Sequence, residues 1–540
     1  MHVCLLPTEI LLYLFEFNTI EDCNWRPISV PQLAALARTC RAFKEPALDI
    51  LWKDIHGFKP LISCLPEGII STDTEGYLTF KRPLLDAEWR LIDRNARRIR
   101  SFTVIDSELD ALDSHGMQAF MSTPSPTPLL PNLRILRWCD EREYFFPLLR
   151  TLLVSTITSI QLGSKSTPPS FAQSALLASL PGRCPSIQEL DCTCVGDSTE
   201  SSDAICEALY GLRELSRLDT GVLSTQEFFR LAALPSLKSL DFILRTYNIH
   251  EMPSDSTSTI FSQLNQVHLT APSQSVVNRF TRSVRFPSCR SVTVDVDYGG
   301  LGGDPLDIPD LIVSLSECFS PALEELCVDF DFDFDFYEAK GVIANRRSYV
   351  LSFHAVAPLL SFNRLTDLQL GWMCTSDIND ASLKTIAQSW PQLETLAFGG
   401  SARWLTPPSL TFVGLVHLIQ HCRRLRMLQI SFWACPVVFE SEPCFTSIAN
   451  EKITRLFVGM SPIVDSVGMA YELRRLLPKL TEVVFLDWLD EGIPVPPPFH
   501  DLGGTWNVVN EILGMDERIK RFNATGAHVA GLTDPGHIVW

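Results

Sequence analysis

Leu237-Lys238-Ser239-Leu240-Asp241-Phe242 and Leu133-Arg134-Ile135-Leu136-Arg137-Trp138 share one pattern: apolar residues at the first, fourth and sixth positions. The pattern returns at Ile187-Gln188-Glu189-Leu190-Asp191-Cys192. It continues as Leu264/Val267/Leu269, Leu323/Leu326/Val328, Leu365/Leu368/Leu370, Leu393/Leu396/Phe398, Leu425/Leu428/Ile430, Ile453/Leu456/Val458 and Leu480/Val483/Phe485. First positions 365 to 393, 425 to 453 and 453 to 480 are separated by 28, 28 and 27 residues, whereas the step from 323 to 365 is irregular. In an extended chain, residues two apart face the same side. The last two apolar positions of each copy therefore point inward and the residue between them points out. Between copies, Asp310 to Phe319, Asp380 to Trp390 and Ser409 to Gln420 are long enough for a helix that returns the chain to the next parallel strand. One copy cannot bury its own apolar face, so stacking must do so; the expected fold class is α/β, a solenoid of parallel strands and helices.

The period lies in the range of leucine-rich repeats. Several copies open on proline after a polar, aromatic or cysteine residue, as at Leu130-Pro131, Cys184-Pro185 and Trp390-Pro391. This resembles the cysteine-containing leucine-rich repeats. The resemblance implies a horseshoe, with parallel strands on a concave face, helices on the convex face, and a protein client held on the concave side. The outward strand positions that would form that surface are Arg137, Asp191, Asp241, His268, Asp295, Asp329, Gln369, Gln429 and Phe457. The row is polar and acidic in its middle, which suits a client segment that is basic or neutral.

The first fifty-odd residues read differently, as three short helices. Pro7, Pro31 and Pro46 are expected in first helical turns, where a missing N–H costs nothing. Ile10, Leu11, Leu14 and Phe15 form one stripe, Leu33, Leu36, Ala37 and Cys40 a second, and Leu48, Leu51 and Trp52 a third. A unit of about 50 residues without disulfides or metal buries a marginal core, so part of this surface is expected to meet another. Leu6-Pro7-Thr8-Glu9-Ile10-Leu11, then Leu14-Phe15, Leu36-Ala37 with Cys40-Arg41 and Phe43, and Leu51-Trp52 resemble an F-box. A polar loop, Asn18 to Val30 with Trp25, Arg26 and Pro27, replaces that family's short link after the first helix. The resemblance implies docking to a Skp-type adaptor and, through it, to a cullin–RING ubiquitin ligase. The residues it assigns to the adaptor are Leu6, Pro7, Ile10, Leu11, Leu14, Phe15, Leu33, Leu36, Cys40, Phe43, Leu51 and Trp52.

Composition narrows the alternatives. The 540 residues carry a net charge of -18, which offers no electrostatic footprint for nucleic acid or anionic lipid. No apolar run approaches the roughly 18 residues of a membrane span, and no basic-plus-apolar leader opens the chain, so an intracellular protein, cytoplasmic or nuclear, is expected. The 16 cysteines have no framework spacing and read as reduced, mostly buried thiols. Cys184, Cys192 and Cys194 make a poor metal cluster, and no cofactor is expected. Gly299 to Gly303 lacks a phosphate-loop lysine, and no G-x-S-x-G or HExxH occurs, so no enzyme is expected. His421-Cys422 reads as a repeat junction.

The remaining features sit around this frame. Residues 1–56 are the expected helical module, 57–98 a connector, 99–487 the solenoid, and 488–540 a proline-rich turn, capping helix and tail. In the connector, Gly76 to Phe80 reads as a strand and Leu84 to Arg98 as a helix with Trp89 and Ile92 inward and Arg90, Arg94, Arg97 and Arg98 outward. The alternation from Asp329 to Phe336 places four phenylalanines with Leu326 and Val328 on one face and four aspartates on the other. Trp372 and Trp433 are candidate client anchors. Trp506, Val509, Ile512 and Leu513 are placed to cover the last strand. The expected function is non-catalytic client capture for ubiquitin transfer; the alternative is a repeat scaffold without ligase association.

Overall fold

The computed structural model describes residues 6–17, 30–72, 78–105, 120–121, 128–140, 142–163, 171–192, 207–223, 225–245, 259–297, 308–331, 350–371, 373–400, 406–435, 449–486 and 497–515. Most of the Asn18 to Val30 loop, Gly299 to Gly303, Phe332 to Phe336, Trp372, Cys194 and the C-terminal tail lie outside these residues. The chain divides into two compact units, Met1–Phe242 and Ile243–Trp540.

The first unit is a parallel ladder in the order Asp54–His56, Ser101–Val104, Ile135–Trp138, Ser159–Leu162, Glu189–Cys192, Arg217–Val222 and Ser239–Ile243. Its register aligns Ile55, Phe102, Leu136, Ile160, Leu190 and Leu218 in one buried row. The second unit repeats the arrangement through Gln266–Ala271, Ser291–Asp297, Glu325–Asp331, Asp367–Leu370, Thr395–Phe398, Met427–Ile430, Arg455–Gly459 and Glu482–Phe485. Here the buried row is Val267, Val292, Leu326, Leu368, Leu396, Leu428, Leu456 and Val483. Both units are thus α/β solenoid stacks. Helices Phe171–Arg183, Gln274–Ser283, Ile308–Cys318, Asp380–Ser389, Phe412–His421 and Ser466–Leu476 carry the chain back between strands.

Besides Asp54–His56, four ladder strands lie outside the recurring leucine pattern: Ser101–Val104, Ser159–Leu162, Arg217–Val222 and Ser291–Asp297, the last carrying Asp295, which was expected as an outward position. Their inward positions are Ile99/Phe102/Val104, Ile157/Ile160/Leu162, Leu215/Leu218/Thr220 and Cys289/Val292/Val294, all buried. Thr220 is tolerated in the core because it accepts a hydrogen bond from the Cys192 thiol at 3.7 Å.

The segment expected as a connector packs as the end of the first stack. Its helix, Asp86–Ala96, buries Trp89 and Ile92, and Leu78–Phe80 pairs with Ile70–Thr72 as an antiparallel hairpin. Phe58 lies 4.9 Å from both Phe102 and Phe120, and Trp89 and Phe80 close on Phe120 edge-to-face. The solenoid also begins earlier than residue 99: Asp54–His56 pairs in parallel with Ser101–Val104. In the second unit, Phe261, Phe286 and Phe319 stack at 5.1 and 5.2 Å between successive turns.

Buried cysteines behave as small apolar residues whose thiols are donated to carbonyls. Cys422 donates to the Trp390 carbonyl at 3.4 Å, Cys318 to that of Val284 at 3.4 Å and Cys289 to that of Ser291 at 3.1 Å. Asn510 of the helix at 502–515 hydrogen-bonds Val483 of the last strand. The helix at 502–515 buries Leu502, Trp506, Val509 and Leu513, with Ile512 half-buried at its margin. Trp506 donates its indole N–H to the Ser461 carbonyl at 2.8 Å.

Candidate protein-interaction surfaces

The N-terminal module consists of helices Thr8–Phe17, Val30–Thr39 and Arg41–Leu51. The Pro7 carbonyl accepts the amides of Ile10 and Leu11 at 3.1 Å and starts the first helix. Two expectations change here. Pro46 does not open the third helix but lies inside it, buried, and Cys40 does not end the second helix but is the extended residue before the third. Proline six residues into a helix leaves the Ala42 carbonyl without its usual donor, a cost tolerated because Pro46 and Ala47 are core residues.

The module has its own core of Leu11, Phe15, Leu33 and Ala47, against which Leu6, Leu36, Ala37, Phe43, Ile50 and Leu51 pack at the margin. Phe15 meets Phe43 edge-to-face at 5.6 Å. Leu11, Phe15 and Leu33 were expected at a partner surface; their burial makes them packing residues that shape it from beneath. Leu6, Leu36, Cys40, Phe43, Leu51 and Trp52 are half-buried, and Pro7 is exposed. The apolar surface that remains on the first helix is Ile10, Tyr13 and Leu14, which are 45%, 63% and 39% exposed. Spaced i, i+3 and i+4, they share one stripe. Tyr13 was not among the expected residues; its i+3 relation to Ile10 was the available signal.

The module is fastened to the first stack. Arg98, whose side chain is 14% exposed, forms ion pairs with Glu45 and Asp49 of the third helix, and Lys53 pairs with Glu16 of the first. The hydrogen bond from Arg98, then the charges of Arg98, Arg94 and Lys44, hold the Glu45 carboxyl below the usual carboxylate range.

The outward strand positions fall into two groups, one on each unit. On the first unit, register places Arg137, Gln161, Asp191 and Asp219 on four adjacent strands. With Ser159, Glu189 and Arg217 they line an open hollow of about 280 Å³. Asp241 is half-buried on Ser239–Ile243. Gln161 and Asp219 were missed because their strands were missed.

On the second unit, one row contains His268, Thr293, Cys327, Gln369, Ala397, Gln429 and Phe457. Asp295 and Asp329, expected in this row, stand two residues further along on the same face, opposite each other and beside Thr270. The reason is strand length: the seven-residue strands Ser291–Asp297 and Glu325–Asp331 offer more than one outward position. His268 Nε2 lies 2.6 Å from Asp295 Oδ2. Burial, then the carboxylates of Asp329 and Asp295, push the Cys327 thiol up to about 11. Phe330 is buried and Asp329 exposed, as the alternation requires over its described part. At the far end of the row, Arg455 lies over the Phe457 ring at 5.4 Å and pairs with Glu482 at 2.7 Å.

Among the described residues, no group of three or more His, Cys, Asp or Glu side chains is arranged to hold a metal ion. Among them, no helix is long and apolar enough to cross a membrane. Cys184 and Cys422 are buried, and burial drives each thiol to about 12, an environment that suppresses the nucleophilic thiolate.

Compared with known families, residues 3–57 match the F-box-like family model. The match spans the three helices and the first ladder strand. No curated protein matches the chain.

Proposed function

We propose that this chain is a non-catalytic substrate-recognition subunit of an SCF-type cullin–RING ubiquitin ligase. In this reading the F-box-like domain docks a Skp-type adaptor, and the leucine-rich strand faces hold a client protein. The observation that carries it is the F-box-like domain at residues 3–57 with an apolar stripe, Ile10–Tyr13–Leu14, exposed on its first helix. The α/β stacks that follow support the second half, because repeat stacks present extended surfaces of strand side chains suited to protein ligands. The chain would take no part in bond chemistry. It would raise the concentration of client lysines near the conjugating enzyme by holding both on one assembly.

The test is capture of a purified Skp-type adaptor by the intact chain. Ile10→Asp is expected to weaken capture about 30-fold, the effect of a central apolar contact of about 2 kcal/mol, without changing thermal unfolding. An intact chain that retrieves no adaptor would instead support a repeat scaffold without ligase association.

A further inference from the structure

The residue just before each ladder strand accepts, on its carbonyl, the amide of the residue in the same place on the next turn. In the first unit this row is Arg100, Arg134, Thr158, Gln188, Ser216 and Lys238. Lys53 precedes them in the row, and its ammonium pairs with Glu16. In the second unit the row is Asn265, Arg290, Glu324, Thr366, Glu394 and Arg426. There each arginine is answered by a neighbour in the row, Arg290 by Glu324 and Arg426 by Glu394, both at 3.5 Å. The first unit's row contains no carboxylate to do the same.

The unanswered end of that row continues onto the helix Asp86–Ala96. Arg100 Nη1 donates to the Arg97 carbonyl at 2.9 Å, and Asn132 Nδ2 donates to the same carbonyl at 2.8 Å. The end of the helix, Arg100 and the loop leading into Arg134 are therefore in contact. Arg94 lies one turn back from Arg97 on the same helix face. Arg94, Arg97 and Arg134 are exposed, and Arg100 is half-buried. Among the described residues none of the four closes an ion pair. Glu45, the carboxylate near enough to feel Arg94, is held by Arg98, and Asp93 on the flank of the helix is half-buried.

Four guanidinium groups on one ridge keep their charge at any physiological pH and repel one another, and an anion laid across them relieves that repulsion. Their planar forks match carboxylates. A long polyphosphate chain would run off the ridge into the field of a protein of net charge -18, whereas a short run of carboxylates stays on it. We propose that Arg94, Arg97, Arg100 and Arg134 form a docking surface for an acidic segment of a partner protein. The surface shares no residue with the Ile10, Tyr13 and Leu14 stripe or with the outward strand rows, so the inference stands apart from the ligase reading.

The test measures binding of a fluorescent octaglutamate peptide to the full chain by anisotropy at low salt. Arg94→Glu combined with Arg134→Glu is expected to weaken binding about tenfold, and Arg97→Gln alone about threefold, with thermal unfolding unchanged. Raising the salt to about 0.5 M should abolish binding. Arg290→Glu combined with Arg426→Glu makes the same change of net charge at the answered row, and should leave affinity within about twofold of the wild type. Equal weakening by the two double variants would show that net charge alone is felt and would overturn the proposal. So would an absence of octaglutamate binding by the wild type, or binding of a single-stranded octanucleotide as tight as that of octaglutamate.

Discussion

Replacing Asn510 by leucine removes a side chain that pairs with the backbone of the last strand. Val483 donates its amide to Asn510 Oδ1 at 2.8 Å, and Asn510 Nδ2 donates to the Val483 carbonyl at 2.8 Å. The side-chain amide thus occupies the place of a further strand, satisfying a donor and an acceptor that strands inside the ladder satisfy with backbone. Leucine has similar volume and can make neither bond. Each unsatisfied buried group costs about 1–3 kcal/mol. Asn510 is half-buried, so water can partly replace it, and a total near 2 kcal/mol follows from the lower bound. That is about 30-fold in a local opening equilibrium. Hydrogen exchange read by mass spectrometry on the intact chain should show Glu482–Phe485 exchanging about 30-fold faster, with Asp367–Leu370 unchanged. Asn510→Asp, which keeps the acceptor but sets a carboxylate against the Val483 carbonyl, should lose at least as much. Unaltered protection at Glu482–Phe485 in Asn510→Leu would refute the account of the edge.

Other outcomes follow from the same geometry. Gly399 has φ +72°, and a Cβ there would lie 2.4 Å from Thr375 Oγ1, so Gly399→Ala should lower urea stability by about 2 kcal/mol. The lowered Glu45 pKa means that its contribution is present above its ordinary value of 4.5 and is lost as pH falls through the depressed one. Exchange protection of Arg41–Leu51 should therefore fall on acidification below 4.5, and Arg98→Ala should remove much of that acid response. Burial holds Cys184, Cys289 and Cys422 at about 12, so iodoacetamide at neutral pH should label them only after denaturation, as peptide mass mapping would show.

Much of the ladder was legible because leucine recurs at the same three inward positions, as at Leu365, Leu368 and Leu370. It became illegible where other residues fill those positions. Ile157, Ile160 and Leu162 fit the same slots with fewer leucines, and Thr220 enters the core only through its contact with Cys192, which spacing does not reveal. The short strand Asp54–His56 has a single inward residue, Ile55, and is recognisable only from its pairing with Ser101–Val104. The cap helix was readable because 506, 509 and 513 recur at helical spacing. For the interaction surfaces, residue type was legible and register was not. Asp295 and Asp329 were placed on the correct face but in the wrong row, because side-chain alternation fixes a face and leaves the step along the strand undetermined.

The junction between the helical module and the first rung has a mechanical meaning. Only Trp52 and Lys53 separate the helix ending at Leu51 from the strand beginning at Asp54, and the Lys53 carbonyl accepts the amides of Arg100 and Ser101 at 2.8 and 2.9 Å. There is no slack in which a hinge could form, and Arg98 braces the joint from its other side. A torque applied to the module would pass directly into the opening strands of the first unit, so the reach between whatever grips the module and whatever rests on those strands is set by covalent geometry. Glycines inserted after Trp52 would turn this stiff lever into a tether, leaving both gripping surfaces intact while erasing the fixed distance between them.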